Sequence, residues 1–179
     1  IDEINRGNLS KILGELLQLI EADKRSETYA VRLTYSRATD PDFFVPPNLY
    51  LIGTMNTADR SLAIIDYALR RRFAFIDIEP CYDQSFVEHL QKQGISVTLA
   101  QFIAQQIPRL NEEIARDPNL GKDFRLGHSY FCTYNPALDE WQWYQDLLRY
   151  EIRPMLEEMW FDQPQRVDTI FHNLAIARP

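Results

Sequence analysis

The chain has 179 residues, of which 45% are hydrophobic and 25% charged, with a net charge of −7. That length gives one domain, or one and a part, with enough apolar residues for a sizeable core, and 12% aromatic content excludes a disordered chain. The acidic balance excludes a general nucleic-acid surface and leaves room only for a local basic patch. No run reaches the ~20 apolar residues of a membrane span, and the start has no export signature, so a cytoplasmic setting is expected.

"IDEINRGN" opens the chain. Asp2 and Glu3 stand side by side after an apolar residue, either as a solvated surface pair or as two carboxylates with separate tasks. In phosphoryl transfer one acid serves a Mg²⁺ ion and the other orients or deprotonates the attacking water. Asn8 is an N-cap for a helix over 9–22, with Leu9, Ile12, Leu13, Leu16, Leu17 and Ile20 on one stripe. "VRLTY" (31–35) and "DFFVP" (42–46) read as a hairpin held at an edge by Pro46 and Pro47.

"NLYLIGT" (48–54) is a continuous apolar run, the pattern of a strand buried on both faces. A helix over 61–69 and a second buried strand, "FAFIDI" (73–78), follow. Strand, helix, strand in that order predicts part of a parallel α/β sheet. Between these strands lies "GTMNTADRS". Asn56 sits where open α/β sheets place ligand groups, at a strand's carboxyl end. Its amide suits a γ-phosphate sensor, and it equally suits a turn or cap before the next helix. "ALRRRF" places Arg70, Arg71 and Arg72 between a helix end and a strand, where they complement the helix dipole or stabilise a transferring phosphoryl group.

The composition shifts near Pro80. Helices are predicted over 83–93, 98–116, 140–162 and 166–176, the third kinked or divided by Pro154. In "RLGHSYF" (125–131), Arg125 can reach a phosphate, and His128 reads as structural because no acid partner accompanies it. Cys81 and Cys132 lie in no metal spacing and read as unpaired thiols.

Taken in order, "IDEINRGN", a helix, a hairpin, "LYLIGTMNTADRS" and "DYALRRRFAFIDIEP" resemble the AAA+ fold. They look most like the McrB family, the GTP-dependent motor subunits of methylcytosine-directed restriction systems. "MNTADRS" is a distinctive signature of that family, and "GKDFRLGHSYF" is similar to its lid. The resemblance implies an α/β AAA+ core segment over 1–80, with a parallel sheet of the P-loop NTPase kind, and an all-α lid subdomain over 81–179.

It also implies residue roles. Asp2 matches the Walker B aspartate that helps hold Mg²⁺, and Glu3 the glutamate that activates water. Asn56 matches the sensor asparagine. Asp59 and Arg60 complete the signature loop at the subunit interface. Arg71 and Arg72 match the region that supplies trans-acting arginines, with either able to act. The implied ligands are GTP, with ATP as the alternative, and Mg²⁺. The implied partners are further copies in a ring, an McrC-like nuclease subunit, and DNA bound through a separate N-terminal domain. An ATP-driven MoxR-like remodeller and a non-catalytic assembly module are the alternatives.

The chain contains no G-x-x-x-x-G-K-S/T phosphate loop. The expectation is therefore that it begins inside its active site as the C-terminal piece of a larger motor. Alone, it would bind nucleotide weakly or not at all, hydrolyse nothing, and self-associate through an exposed sheet edge.

Overall fold

Beyond residue 80, stretches that carry their own caps and stripes form the expected helices, whereas the predicted strands need distant neighbours. The computed structural model describes residues 1–58 and 67–175. The chain divides into two units, Ile1–Asp77 and Ile78–Pro179.

In the first unit, Asn8 caps helix α1 (Leu9–Leu13) by accepting from the Lys11 N–H at 2.9 Å. The helix expected over 9–22 does not run through. Gly14 takes φ 50°, ψ −126°, a conformation open to a residue without Cβ, and α2 resumes over Leu16–Leu19. Leu9, Leu19 and Ile20 are buried, while Ile12 points out. The hairpin reduces to one antiparallel bridge between Val31 and Phe43, closed by both N–H···O bonds at 2.8 and 2.9 Å. Arg25 bonds the carbonyls of Ile20 and Leu49, tying the end of α2 to the following segment. A short helix, α3 (Tyr67–Arg70), precedes the arginines; the rest of the helix expected over 61–69 lies outside the described residues.

The parallel sheet expected from 48–54 and 73–78 is not formed among the described residues. A parallel strand bonds only to flanking strands, and Tyr50, Ile52 and Ile76 remain exposed. One element of the ladder is present. Ile1 N–H donates to the Ile52 carbonyl at 2.7 Å, and Thr54 N–H donates to the Ile1 carbonyl at 2.9 Å. A residue bonded to both neighbours of its partner is the parallel pattern, here pairing Ile1 with Gly53. Ile4, Leu9 and Leu69 form a small core beneath it.

The second unit is helical. Asp83 caps α4 (Gln84–Lys92), Ser96 caps α5 (Val97–Arg116) and Asp139 caps α6 (Glu140–Leu147), each accepting backbone N–H bonds. Gly94, at φ 97°, ends α4, and Ile95 N–H reaches back to the Leu90 carbonyl. Along α5, Leu99, Ile103, Ile107, Leu110 and Ile114 bury one stripe. The helix expected over 140–162 is divided by a π turn at Leu148–Ile152, after which α7 runs over Arg153–Met159. Pro154 lacks the N–H that an α-helix would offer to residue 150, and the wider turn absorbs the mismatch. Helix α8 (Pro164–Ala175) closes the unit, with Val167 and Leu174 buried.

Buried Asn111 on α5 clamps the "RLGHSYF" segment. Its Nδ2 donates to the Leu126 carbonyl at 2.9 Å, and its Oδ1 accepts the Leu126 N–H at 2.7 Å. Asn111→Leu leaves that N–H buried without a partner and is expected to cost about 2–3 kcal/mol, read as a lower denaturant midpoint with unchanged slope.

Candidate functional site

The pairing of Ile1 with Gly53 brings the acid pair beside the segment that ends in Asn56. Gly53 leaves room for the Ile4 side chain: a Cβ there would lie 2.7 Å from Ile4 Cδ1 and 3.3 Å from its Cγ2. Ile4 N–H also donates to the Thr54 carbonyl at 2.8 Å.

Asp2 is exposed and accepts a hydrogen bond from the Thr54 hydroxyl. The same hydroxyl oxygen accepts the Glu3 N–H at 3.3 Å. Glu3 adopts φ 46°, ψ 50°, a left-handed conformation uncommon for a residue with a side chain, and its carboxylate pairs with Arg6. Asn56 is exposed, and its Oδ1 accepts the Ala58 N–H at 3.0 Å, the geometry of a turn residue. Buried Asn5 donates to the Asn56 carbonyl at 3.2 Å. Asp59 and Arg60 lie outside the described residues.

The three arginines part company. Arg72 is buried and pairs with Glu21 at 2.5 Å. Glu21 also takes Lys24 at 2.7 Å, and this bond, with Arg72 beside it, holds the Glu21 carboxyl below the usual carboxylate range. Arg70 lies over the Phe75 ring at 5.9 Å. Arg71 is exposed.

In the second unit, Arg125 pairs with Glu79 and donates to the Lys122 carbonyl at 2.8 Å. His128 Nδ1 accepts the Cys81 N–H at 3.1 Å, and its ring meets Tyr82 and Phe86 edge-on, a structural placement. Among the described residues no group of three His, Cys, Asp or Glu could hold a metal ion, and no helix is long and apolar enough to cross a membrane. Sequence reasoning singled out neither Asn5 nor Thr54. Each lies inside a quoted motif, but the bond that gives it meaning spans about fifty residues.

Residues 1–73 match the family model described as AAA domain (dynein-related subfamily), and residues 102–168 match McrB, alpha-helical lid domain. An AAA-type segment followed by a helical lid is the class of protein these two units define. Over 170 residues, 93% of the chain, the sequence is 48% identical to the type IV methyl-directed restriction enzyme EcoKMcrB subunit of Escherichia coli K12. Over 88 residues it is 32% identical to the type II restriction enzyme BsuMI component YdiS of Bacillus subtilis 168. The chain belongs to the McrB family of AAA+ proteins. It spans 37% and 26% of the lengths of these two relatives.

Proposed function

We propose that this chain supplies part of an AAA+ motor that hydrolyses a nucleotide, GTP in preference to ATP, to drive DNA translocation in a methylation-dependent restriction complex. The pairing of Ile1 with Gly53, which brings Asp2 and Glu3 beside Thr54 and Asn56, is the observation that carries it. The first unit then acts as the C-terminal part of the AAA+ core and the second as the lid. Copies assemble as a ring, with an McrC-like nuclease subunit and a separate DNA-reading domain as partners.

The residues fit a magnesium nucleotide. Asp2 is exposed, with one carboxylate oxygen steadied by Thr54 and the other without a hydrogen bond among the described residues, as a carboxylate facing a hydrated cation requires. Mg²⁺, when bound, neutralises charge on the β- and γ-phosphates. Glu3, whose carboxylate pairs with Arg6, accepts the proton of the attacking water. The Asn56 Nδ2, without a partner among the described residues, is left to donate to a phosphate oxygen. Asp59 and Arg60 serve the subunit contact, and Arg125 is the second unit's candidate for binding phosphate.

Of the two candidate trans-acting arginines, Arg71 is the better placed, because Arg72 is committed to Glu21. In the full-length protein, Arg71→Ala is expected to lower steady-state GTP hydrolysis at least about 10³-fold, and mixing it with a Glu3→Gln variant to restore part of the activity through hybrid interfaces. Arg72→Ala is expected to lower the melting temperature instead. Full hydrolysis by Arg71→Ala would remove it from the role, and absence of GTP and ATP turnover by the unmodified protein would remove the motor reading.

A further inference from the structure

We infer that Thr54 and Asn5 are positioning residues that register the acid pair against the Asn56 turn, a role that rests on the motor reading above. Thr54 works on one side. Its hydroxyl donates to the Asp2 carboxylate and its oxygen accepts the Glu3 N–H at 3.3 Å, so one small group fixes both acids. The donor and acceptor capacities match, since a hydroxyl carries one hydrogen to give and lone pairs to receive. Valine has the same shape and can do neither.

Asn5 works on the other side. It is only 8% exposed, and its Nδ2 spans 51 residues to the Asn56 carbonyl at 3.2 Å. Its Oδ1 is buried with no hydrogen-bond partner among the described residues. An acceptor buried without a partner costs free energy, and a leucine of similar size would avoid that cost. An asparagine kept under those terms serves the one side-chain bond it makes among the described residues. That bond holds the backbone of Asn56, whose own Oδ1 is occupied by the Ala58 N–H. The amide presented to substrate is therefore set by two tethers, one from Asn5 to the Asn56 carbonyl and one inside the turn. Between the clamps, a Cβ at Gly53 would crowd the Ile4 side chain, 2.7 Å from its Cδ1.

The test uses the full-length protein and three variants, Thr54→Val, Thr54→Ser and Asn5→Leu. Amide hydrogen exchange reads the clamp, and steady-state GTP hydrolysis over a range of GTP concentrations reads its use. Thr54→Val is expected to speed exchange at the Glu3 amide and to lower kcat by about 10- to 100-fold with KM for GTP unchanged, because a misplaced group costs rate more than binding. Thr54→Ser restores both. Asn5→Leu is expected to speed exchange at the Ala58 amide and lower kcat to a similar degree, with a melting temperature equal to or above that of the unmodified protein. A residue needed only for folding would lower the melting temperature and leave kcat intact. The inference is overturned if kcat stays within about twofold in both variants, or if serine fails to rescue. If the unmodified protein hydrolyses neither GTP nor ATP, the motor reading falls by itself. The exchange rates at Glu3 and Ala58 then decide the clamp, and unchanged rates overturn it.

Discussion

Replacing Glu3 by glutamine in the full-length protein lowers nucleotide hydrolysis by about 10³-fold and leaves nucleotide binding intact. The expectation follows from the residue's surroundings. Glu3 is exposed, so the change buries no new polar group, and glutamine enters the left-handed backbone region no less readily than glutamate. The lost ion pair to Arg6 lies at the surface, where such pairs contribute little to stability. What is removed is a carboxylate able to take a proton. Single-turnover hydrolysis, with binding followed separately by a fluorescent GTP analogue, separates the two effects. Hydrolysis at the unmodified rate would assign the acid pair to a solvated surface, the other reading its sequence allows.

The second large effect falls in the lid. Asp117 Oδ2 accepts from the Trp160 indole at 2.8 Å and from Arg166 at 2.9 Å, and its Oδ1 accepts the Asn119 N–H at 3.0 Å. Arg166 lies over the Trp160 ring, 4.0 Å from its centroid. The end of α5 is thereby bound to the end of α7 and the start of α8. The indole bond, then the Asn119 N–H and Arg166, hold the Asp117 carboxyl below the usual carboxylate range. Asp117→Ala leaves the Trp160 N–H buried without its acceptor and is expected to cost about 3 kcal/mol, or roughly 12–24 °C in the lid's melting temperature.

The sign of the pH dependence follows from the lowered value. The contribution is full above the unfolded carboxyl's pKa of about 3.9 and is lost as pH falls through the lower folded value. The melting-temperature gap between the unmodified protein and Asp117→Ala is therefore wide at neutral pH and narrows on acidification below about pH 4. A gap that held constant down to pH 2 would show that the carboxylate's charge is not what the lid uses.

The second unit was legible because its signals are local. The caps Asp83, Ser96 and Asp139 and the stripe along α5 sit within a few residues of the helices they shape, and Pro154 marks its own interruption. The sheet was not, since a strand's partners are remote in sequence and only the pairing of Ile1 with Gly53 is made among the described residues. Gly14 broke a helix whose apolar stripe gave no warning, because periodicity does not record φ. In the candidate site, the residue types and their order were readable. Which arginine is held in a buried ion pair was not, because the partner of Arg72 lies 51 residues upstream at Glu21. The Asp117 cluster escaped notice for the same reason, joining residues more than forty positions apart.

All three tryptophans, Trp141, Trp143 and Trp160, belong to the second unit. Trp160 reports directly on the Asp117 bond, and Trp143 sits 5.1 Å from Tyr134. Intrinsic emission excited at 295 nm is thus a gauge of the lid and is blind to the segment that carries Asp2, Glu3 and Asn56. A melt followed that way can look like a single clean transition after the acid pair has already come apart. A tryptophan introduced at exposed Tyr50 would give the first unit a signal of its own.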